Sequence, residues 1–141
     1  MSESTHGSCA CGAVHFVAQA DPAAGTMRCT CRGCTKRGWW TLSTPPDGLT
    51  VLEGEEHVVI DQAHPDFDRR RCGKCGVLLF GWVGPVEYGG PRFSVNVRTL
   101  DLPSWEGIPV TWLDGLHDTW AFLGVEPHRE AEPLQRARSA G

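Results

Sequence analysis

The stretch that decides the fold reads Cys72-Gly73-Lys74-Cys75-Gly76. Glycine adopts positive φ angles at little cost, so the backbone can turn and aim both sulfurs of this C-x2-C segment at one ion. This is the pattern of a zinc knuckle, and the apolar segment 77–83 that follows it predicts a strand. One knuckle supplies only two ligands, so a tetrahedral zinc site needs a second pair from another part of the chain.

The remaining cysteines form two further clusters. The chain has seven cysteines in all, which is four plus three. A structural zinc site has four protein ligands, whereas a catalytic zinc site has three protein ligands and one open coordination position. The pair Cys9 and Cys11 is the economical partner for the knuckle, so one predicted site consists of Cys9, Cys11, Cys72 and Cys75. The C-x-C-x2-C loop then leaves Cys29, Cys31 and Cys34 for a second zinc with an open face.

Two other uses of these cysteines compete with zinc. Disulfides are disfavoured because the count is odd and because cysteines two residues apart are poorly placed to bridge each other. The polar start of the chain does not resemble a secretory signal, so we expect a cytoplasmic, reducing environment in which such clusters bind metal. An iron–sulfur cluster is the stronger competitor, because short runs of thiolates also hold iron.

Length and composition restrict the class of protein. The chain has 141 residues, a formal net charge of −4, 17 glycines and 10 prolines. We expect one mostly β domain of short strands and turns, with a flexible N-terminus at residues 1–6, the domain at 7–125 and a tail at 126–141 that includes a short helix at 132–138. The acidic balance argues against nucleic acid as a partner, and no apolar run is long enough for a membrane span.

Periodicity predicts where the strands lie. The clearest alternation of apolar and polar residues is in segment 92–98. A single helical turn is expected at 32–37, ended by Gly38. The other extended segments are predicted at 12–18, 26–30, 39–43, 49–52, 58–61, 67–71, 77–83, 110–113 and 119–123.

The ordered trio of motifs resembles a known family. Gly7-Ser8-Cys9-Ala10-Cys11-Gly12-Ala13-Val14, Cys29-Thr30-Cys31-Arg32-Gly33-Cys34 and Cys72-Gly73-Lys74-Cys75-Gly76 are similar to the motifs of the glutathione-dependent formaldehyde-activating enzyme family and of the related centromere protein V domain. The resemblance implies a β-tent fold, in which several small bent antiparallel sheets are held by zinc. It also implies the same two zinc sites, one structural and one at the active site. This chain has Thr30 where many members carry His.

The resemblance further implies a carbon–sulfur lyase that condenses glutathione with formaldehyde to S-hydroxymethylglutathione. Three thiolates give a bound zinc a net charge of −1, which favours a further soft thiolate ligand over activated water. We therefore expect the cysteines of the second site to act as ligands and the substrate to be a small thiol. Because three ligands on one loop bind less firmly than four on two segments, we expect this second site to be partly empty.

Candidate substrate-binding residues lie within or just after the middle cluster. Arg32, Lys36 and Arg37 are cations that can meet substrate carboxylates, and Trp39, with Trp40, is placed to form an apolar wall. Each is also explained as a solvated turn or a core residue. Asp118 and Glu87 are candidate acids or bases, and spacing does not select between them. None of the six histidines has the spacing of a further metal ligand.

Two functions from different classes fit these observations. The first is a zinc-dependent carbon–sulfur lyase that acts on small thiol adducts. The alternative is a non-catalytic, zinc-stapled module that binds a protein. The three-ligand loop favours the enzyme, because a purely structural site has no reason to omit its fourth thiolate.

Overall fold

The computed structural model describes residues 3–130, and eleven strands account for most of its regular structure. The strands are β1 (Ser4–Ser8), β2 (His15–Gln19), β3 (Thr26–Cys29), β4 (Trp40–Thr44), β5 (Leu49–Glu53), β6 (Val58–Ala63), β7 (Asp68–Cys72), β8 (Leu78–Val83), β9 (Arg92–Asn96), β10 (Pro109–Leu113) and β11 (Phe122–Pro127). The helix α1 spans Arg32–Arg37, and short 3-10 helices lie at Pro22–Ala24, Glu55–His57, Val86–Tyr88 and Val97–Thr99.

The strands form two sheets. The smaller has the order β1-β2-β5, and the larger has the order β11-β10-β3-β4-β9-β8-β7-β6. Every pairing is antiparallel except that of β3 with β10, which run parallel. The carboxyl ends of these two strands therefore meet at the same edge of the sheet. The predicted mostly β fold with antiparallel sheets is confirmed.

The core lies where the two sheets face each other. Phe16 of the small sheet and Phe80 of the large sheet are both fully buried, and their rings meet edge to face with centroids 5.4 Å apart. Trp40 is 1% exposed, and its indole N–H donates to Thr26 Oγ1 at 2.6 Å, so the polar atom of this large ring has a partner. Such buried rings supply much of the apolar area that stabilises a small β domain.

Helix α1 has the short form predicted for it. It begins after Cys31, whose side chain accepts a hydrogen bond from the Cys34 N–H, and it ends at Gly38 with φ = 65°. A left-handed residue at this position is where glycine is favoured. The helix therefore presents Cys34 from its first turn, close to the end of β3.

Several strand bounds differ from the prediction. Segment 119–123 was expected as a strand, whereas β11 begins at Phe122, because Asp118 and Trp120 take left-handed angles in a loop stabilised by Asp114. Likewise, β9 ends at Asn96, whose side chain accepts from the Arg98 N–H and starts a 3-10 helix.

The ends of the predicted domain also fall inside strands. Residues 4–6, expected as part of a flexible terminus, pair with β2, and Thr5 Oγ1 donates to the Ala20 carbonyl at 2.8 Å. Residues 126–127, expected in the tail, belong to β11. The domain bounds of 7–125 stay a prediction, and the helix predicted at 132–138 lies outside the described residues. Within residues 3–130, no helix has the length and apolar character needed to cross a membrane.

Candidate metal centres

The first cysteine cluster brings together the first and the last of the three cysteine motifs in the sequence. The sulfur atoms of Cys9, Cys11, Cys72 and Cys75 all lie within 4.8 Å of one another; we call this set the four-cysteine cluster. Cys9 and Cys11 stand in the turn after β1, and Cys72 ends β7. The Cys11 and Cys72 sulfurs are 3.8 Å apart. The cluster therefore ties the small sheet to the large one.

Each half of the four-cysteine cluster is a glycine turn with the same hydrogen-bonding scheme. In the knuckle, the Gly76 N–H donates to the Cys72 carbonyl at 2.8 Å, and Gly76 has φ = 81°. Backbone N–H groups also point at sulfur, as Val14 N lies 3.3 Å from Cys9 Sγ. A backbone hydrogen bond from Val77 lowers the pKa of the Cys75 thiol to about 6. A thiol with this pKa is a thiolate at neutral pH, the form that binds metal.

The second cluster lies at the carboxyl end of β3. The sulfurs of Cys29, Cys31 and Cys34 lie within 4.8 Å of one another; we call this set the three-cysteine cluster. Cys29 ends β3, Cys31 caps α1, and Cys34 is buried in the first turn of α1. Cys29 Sγ accepts from the Cys31 N–H at 3.4 Å, and Cys31 Sγ accepts from the Cys34 N–H at 3.3 Å. The short loop thus turns all three sulfurs toward one point.

The donor sets of both clusters fit a soft cation. Burial, followed by the hydrogen bond with Cys31, raises the pKa of the Cys34 thiol to about 12, while the charge of Arg69 opposes this. Three adjacent thiolates therefore require a neighbouring positive charge, and a thiolate-binding ion such as zinc supplies it. None of the seven cysteines forms a disulfide, so the sulfurs are available as ligands.

A loop from the far end of the chain covers the three-cysteine cluster. Residues 114–121 connect β10 to β11, and we call them the cover loop. Thr30 anchors it, because its N–H donates to the Leu113 carbonyl at 3.0 Å and its Oγ1 accepts from the Leu116 N–H at 3.2 Å. Thr30, which stands where the family resemblance leads one to expect His, thus serves here as a backbone anchor. Among the cover-loop side chains, Leu116 is 59% and Trp120 is 56% exposed.

The cover loop has an internal brace. Asp114 accepts hydrogen bonds from Thr119 Oγ1 at 2.7 Å and from the His117 N–H at 3.1 Å. The Thr119 hydroxyl, followed by the His117 backbone and ring, lowers the pKa of Asp114. The carboxylate form is therefore the one that stabilises the loop.

Gly115 in the cover loop leaves no room for a side chain. A Cβ at this position would collide with Cys29 Sγ and would lie 2.9 Å from Cys31 Cβ. We expect Gly115→Ala to displace the loop or Cys29 and to lower the metal affinity of the three-cysteine cluster about 10- to 100-fold, the range typical of residues that orient ligands. Chelator titration with metal analysis measures this effect.

Gly84→Ala is the matched control, because a Cβ there meets only ordinary contacts, the nearest at 3.5 Å from Trp82 Nε1. Both variants should unfold at the temperature of the unmodified protein. Equal chelator resistance in Gly115→Ala and Gly84→Ala would contradict the close approach of the loop to Cys29.

The residues proposed for substrate binding lie around the three-cysteine cluster with different partners. Arg32 and Lys36 are exposed on α1 and have no ion pair within residues 3–130. Arg37 pairs with Asp61 at 3.8 Å, so its charge is already partly balanced. Trp39 is half-buried beside the cluster, and its ring lies under the Arg69 guanidinium.

Trp40 does not form a wall of this site. Consecutive residues of a strand point to opposite faces of a sheet, and Trp40 is in the core, stacked on His128 with ring centroids 4.4 Å apart. Of the candidate acids, Asp118 lies in the cover loop and accepts from the Trp120 indole N–H at 3.1 Å, whereas Glu87 lies in the 3-10 helix between β8 and β9.

Two functional candidates were not visible in the sequence. Arg69 reaches the three-cysteine cluster from β7, where Nη2 lies 3.4 Å from Cys34 Sγ. Gly115 reaches it from the other end of the large sheet. The only signal in the sequence for Arg69 was the alternation expected of a strand, which places Arg69 and Arg70 on opposite faces. Arg70 does point away from the cysteines and pairs with Asp68 at 2.9 Å. Alternation separates the two faces but does not identify what each face meets.

Comparisons with known proteins give the context of this geometry. A family model described as glutathione-dependent formaldehyde-activating enzyme matches residues 4–108, a segment that includes all seven cysteines. A crystal structure of a Rhodobacter sphaeroides protein superimposes with a TM-score of 0.61 at 25% sequence identity, covering 70% of this chain and 90% of that one. The family match ends before β10 and the cover loop.

Proposed function

Because this chain belongs to the glutathione-dependent formaldehyde-activating enzyme family, we propose that it is a zinc-dependent carbon–sulfur lyase acting on adducts of small thiols. The thiol proposed is glutathione and the carbonyl compound formaldehyde, with S-hydroxymethylglutathione as product. The observation that carries the proposal is the three-cysteine cluster. Within the described residues it gathers three sulfurs and no fourth ligand, which is the composition of a site with an open position.

The two clusters have different proposed roles. The four-cysteine cluster would hold a structural zinc, because four thiolates from two distant segments complete a tetrahedron. The three-cysteine cluster would hold the second zinc. Bound there, this zinc would supply a soft Lewis acid that keeps a substrate thiol as its thiolate at neutral pH.

The reaction itself is the addition of a thiol to a carbonyl group, and it conserves all atoms of the two reactants. The thiol sulfur forms a bond to the carbonyl carbon, the C=O π electrons move to oxygen, and the proton lost by the thiol ends on that oxygen. The reverse step breaks the same carbon–sulfur bond and releases the aldehyde. No oxidant or reductant is needed, so the protein must chiefly bind, orient and desolvate the two reactants.

The surroundings of the three-cysteine cluster suit an anionic thiol. Arg32 and Lys36 are exposed cations on the helix that carries Cys34, and glutathione has two carboxylates for them to bind. The cover loop lies against Cys29 on another side and would exclude water from the reacting sulfur. Trp39 beside the cluster offers an apolar surface to the substrate backbone.

One observation favours the alternative of a non-catalytic binding module. The cover loop and β11 expose large apolar side chains, with Phe122 at 65%, Leu116 at 59% and Val125 at 57%. Large apolar side chains that are exposed near one another are typical of protein-binding surfaces. Leu116 also lies beside the proposed substrate site, because its N–H donates to Thr30 Oγ1 at 3.2 Å.

The test uses cobalt in place of zinc, because sulfur-to-cobalt charge transfer reports the ligands. Adding glutathione should intensify this band as a fourth sulfur binds, and a thiol without carboxylates should require a higher concentration. Turnover with formaldehyde should follow the same saturation. If neither the cobalt spectrum nor turnover responds to any small thiol, the binding module becomes the better proposal. If the purified protein contains iron and absorbs visible light, the clusters hold iron and sulfide, and the zinc assignment is wrong.

A further inference from the structure

Arg69 is held against the three-cysteine cluster from several directions. Its Nη2 lies 3.4 Å from Cys34 Sγ, and its Nη1 donates to Gln62 Oε1. The guanidinium carbon lies 5.4 Å from the centre of the Trp39 ring and 6.0 Å from that of Phe67. These contacts restrict the planar group to one orientation, with an N–H directed at sulfur.

This placement has an energetic cost. Arg69 Nε is buried without a hydrogen-bond partner, the one such side-chain atom within residues 3–130. An unsatisfied buried donor is unfavourable and calls for an explanation. The neighbouring Arg70, by contrast, has a carboxylate partner, because it pairs with Asp68 through two nitrogen atoms. The position of Arg69 is therefore explained better by what it does to Cys34 than by packing.

The three sulfurs of the cluster share one property. Each accepts an N–H hydrogen bond, Cys29 from Cys31, Cys31 from Cys34, and Cys34 from Arg69. A hydrogen bond withdraws electron density from sulfur and makes a thiolate a weaker nucleophile. A charged donor has a stronger effect than a neutral one. Cys34 has no backbone donor of its own in the described chain, so Arg69 completes the set.

We propose that Arg69 is a positioning residue that acts through Cys34, keeping this sulfur a metal ligand and leaving the substrate sulfur as the nucleophile that attacks the aldehyde carbon. The inference rests on the proposed function for its biological meaning. Its physical content is narrower: the N–H···S contact suppresses the reactivity of Cys34 relative to a sulfur without such a donor.

The experiment measures alkylation of each cysteine in the zinc-loaded protein by iodoacetamide, with no thiol substrate or aldehyde present. Site-resolved mass spectrometry should show that Arg69→Met raises the rate at Cys34 by about tenfold or more, the effect expected for losing one charged hydrogen bond. The rates at Cys29 and Cys31 should stay unchanged. The glutamine side chain of Arg69→Gln is too short to reach Cys34, so this variant should show the same increase. It replaces Arg69→Met in the experiment if that variant does not fold.

Arg71→Met is the matched control for charge. It removes the same charge from the same strand, but Arg71 contacts Asp61 at 3.2 Å and no cysteine of the cluster. The control should leave Cys34 alkylation unchanged. An equal increase in Arg71→Met, an equal increase at all three cysteines, or no increase in Arg69→Met would each overturn the proposal.

A spectroscopic measurement separates hydrogen bonding from simple shielding of Cys34. In the cobalt-loaded protein, loss of the N–H···S bond should move the sulfur-to-cobalt band to lower energy, because the thiolate becomes a better electron donor. Faster alkylation without this band shift would mean that Arg69 only covers Cys34 and would overturn the proposal. Since neither measurement involves turnover, failure of the lyase function would be seen separately, as absent reaction with glutathione and formaldehyde.

Discussion

Cys72→Ser is expected to leave the chain unfolded or insoluble. Cys72 is fully buried, ends β7, and lies within the four-cysteine cluster that joins the two sheets. A structural zinc contributes on the order of 10 kcal/mol, which is comparable to the whole stability of a typical domain. Losing one of four ligands therefore removes most of the free energy that keeps the folded state populated.

Circular dichroism and zinc analysis of the purified variant measure this outcome. Cys31→Ser is the matched control, because it makes the same chemical change in the three-cysteine cluster and should remain folded. A Cys72→Ser protein with unmodified thermal stability and full zinc content would show that Cys72 is not a ligand of a structural zinc.

Cys31→Ser is expected to abolish thiol binding and turnover while the fold is retained. Cys31 is the N-cap of α1, and its sulfur accepts the Cys34 N–H at 3.3 Å. Serine is among the preferred N-cap residues, so the hydroxyl can preserve the start of the helix while the thiolate is lost. The fall in activity should exceed about 100-fold, since replacing residues that only orient ligands already costs 10- to 100-fold.

The cobalt spectrum with glutathione, formaldehyde turnover and the unfolding temperature are measured side by side. Thr35→Ser on the same helix, a change that keeps the hydroxyl, should leave all three close to those of the unmodified protein. If Cys31→Ser still responds to glutathione and turns over at the original rate, Cys31 has no part in the reaction.

The grouping of the cysteines could be predicted from the sequence because cysteines that can bind a metal occur at short, recognisable spacings. The sulfurs do meet in groups of four and three. Strand β1 was missed because Ser4–Ser8 has no alternation of apolar and polar residues, and its pairing depends on β2. Arg69 and Gly115 were missed for a related reason: their approach to the cysteines follows from strand order, which local patterns do not encode.

The substrate residues illustrate the same limit. Proximity in sequence pointed to Arg37 and Trp40 as well as to Arg32 and Lys36. The fold pairs Arg37 with Asp61 and turns Trp40 into the core. A charge or a ring near a motif is therefore a weak guide until the partners and the sheet face are known.

The parallel pairing of β3 with β10 has a consequence for how the proposed selectivity for thiol substrates could be changed. It brings the cover loop to the three-cysteine cluster, and that loop lies beyond residue 108, where the family match ends. Under the proposed function, the cysteines of the reacting site and the loop that covers them therefore lie on separate stretches of the polypeptide. Grafting or randomising residues 116–121, while Gly115 and the Asp114 brace are kept, offers a route to new thiol substrates that leaves every cysteine in place.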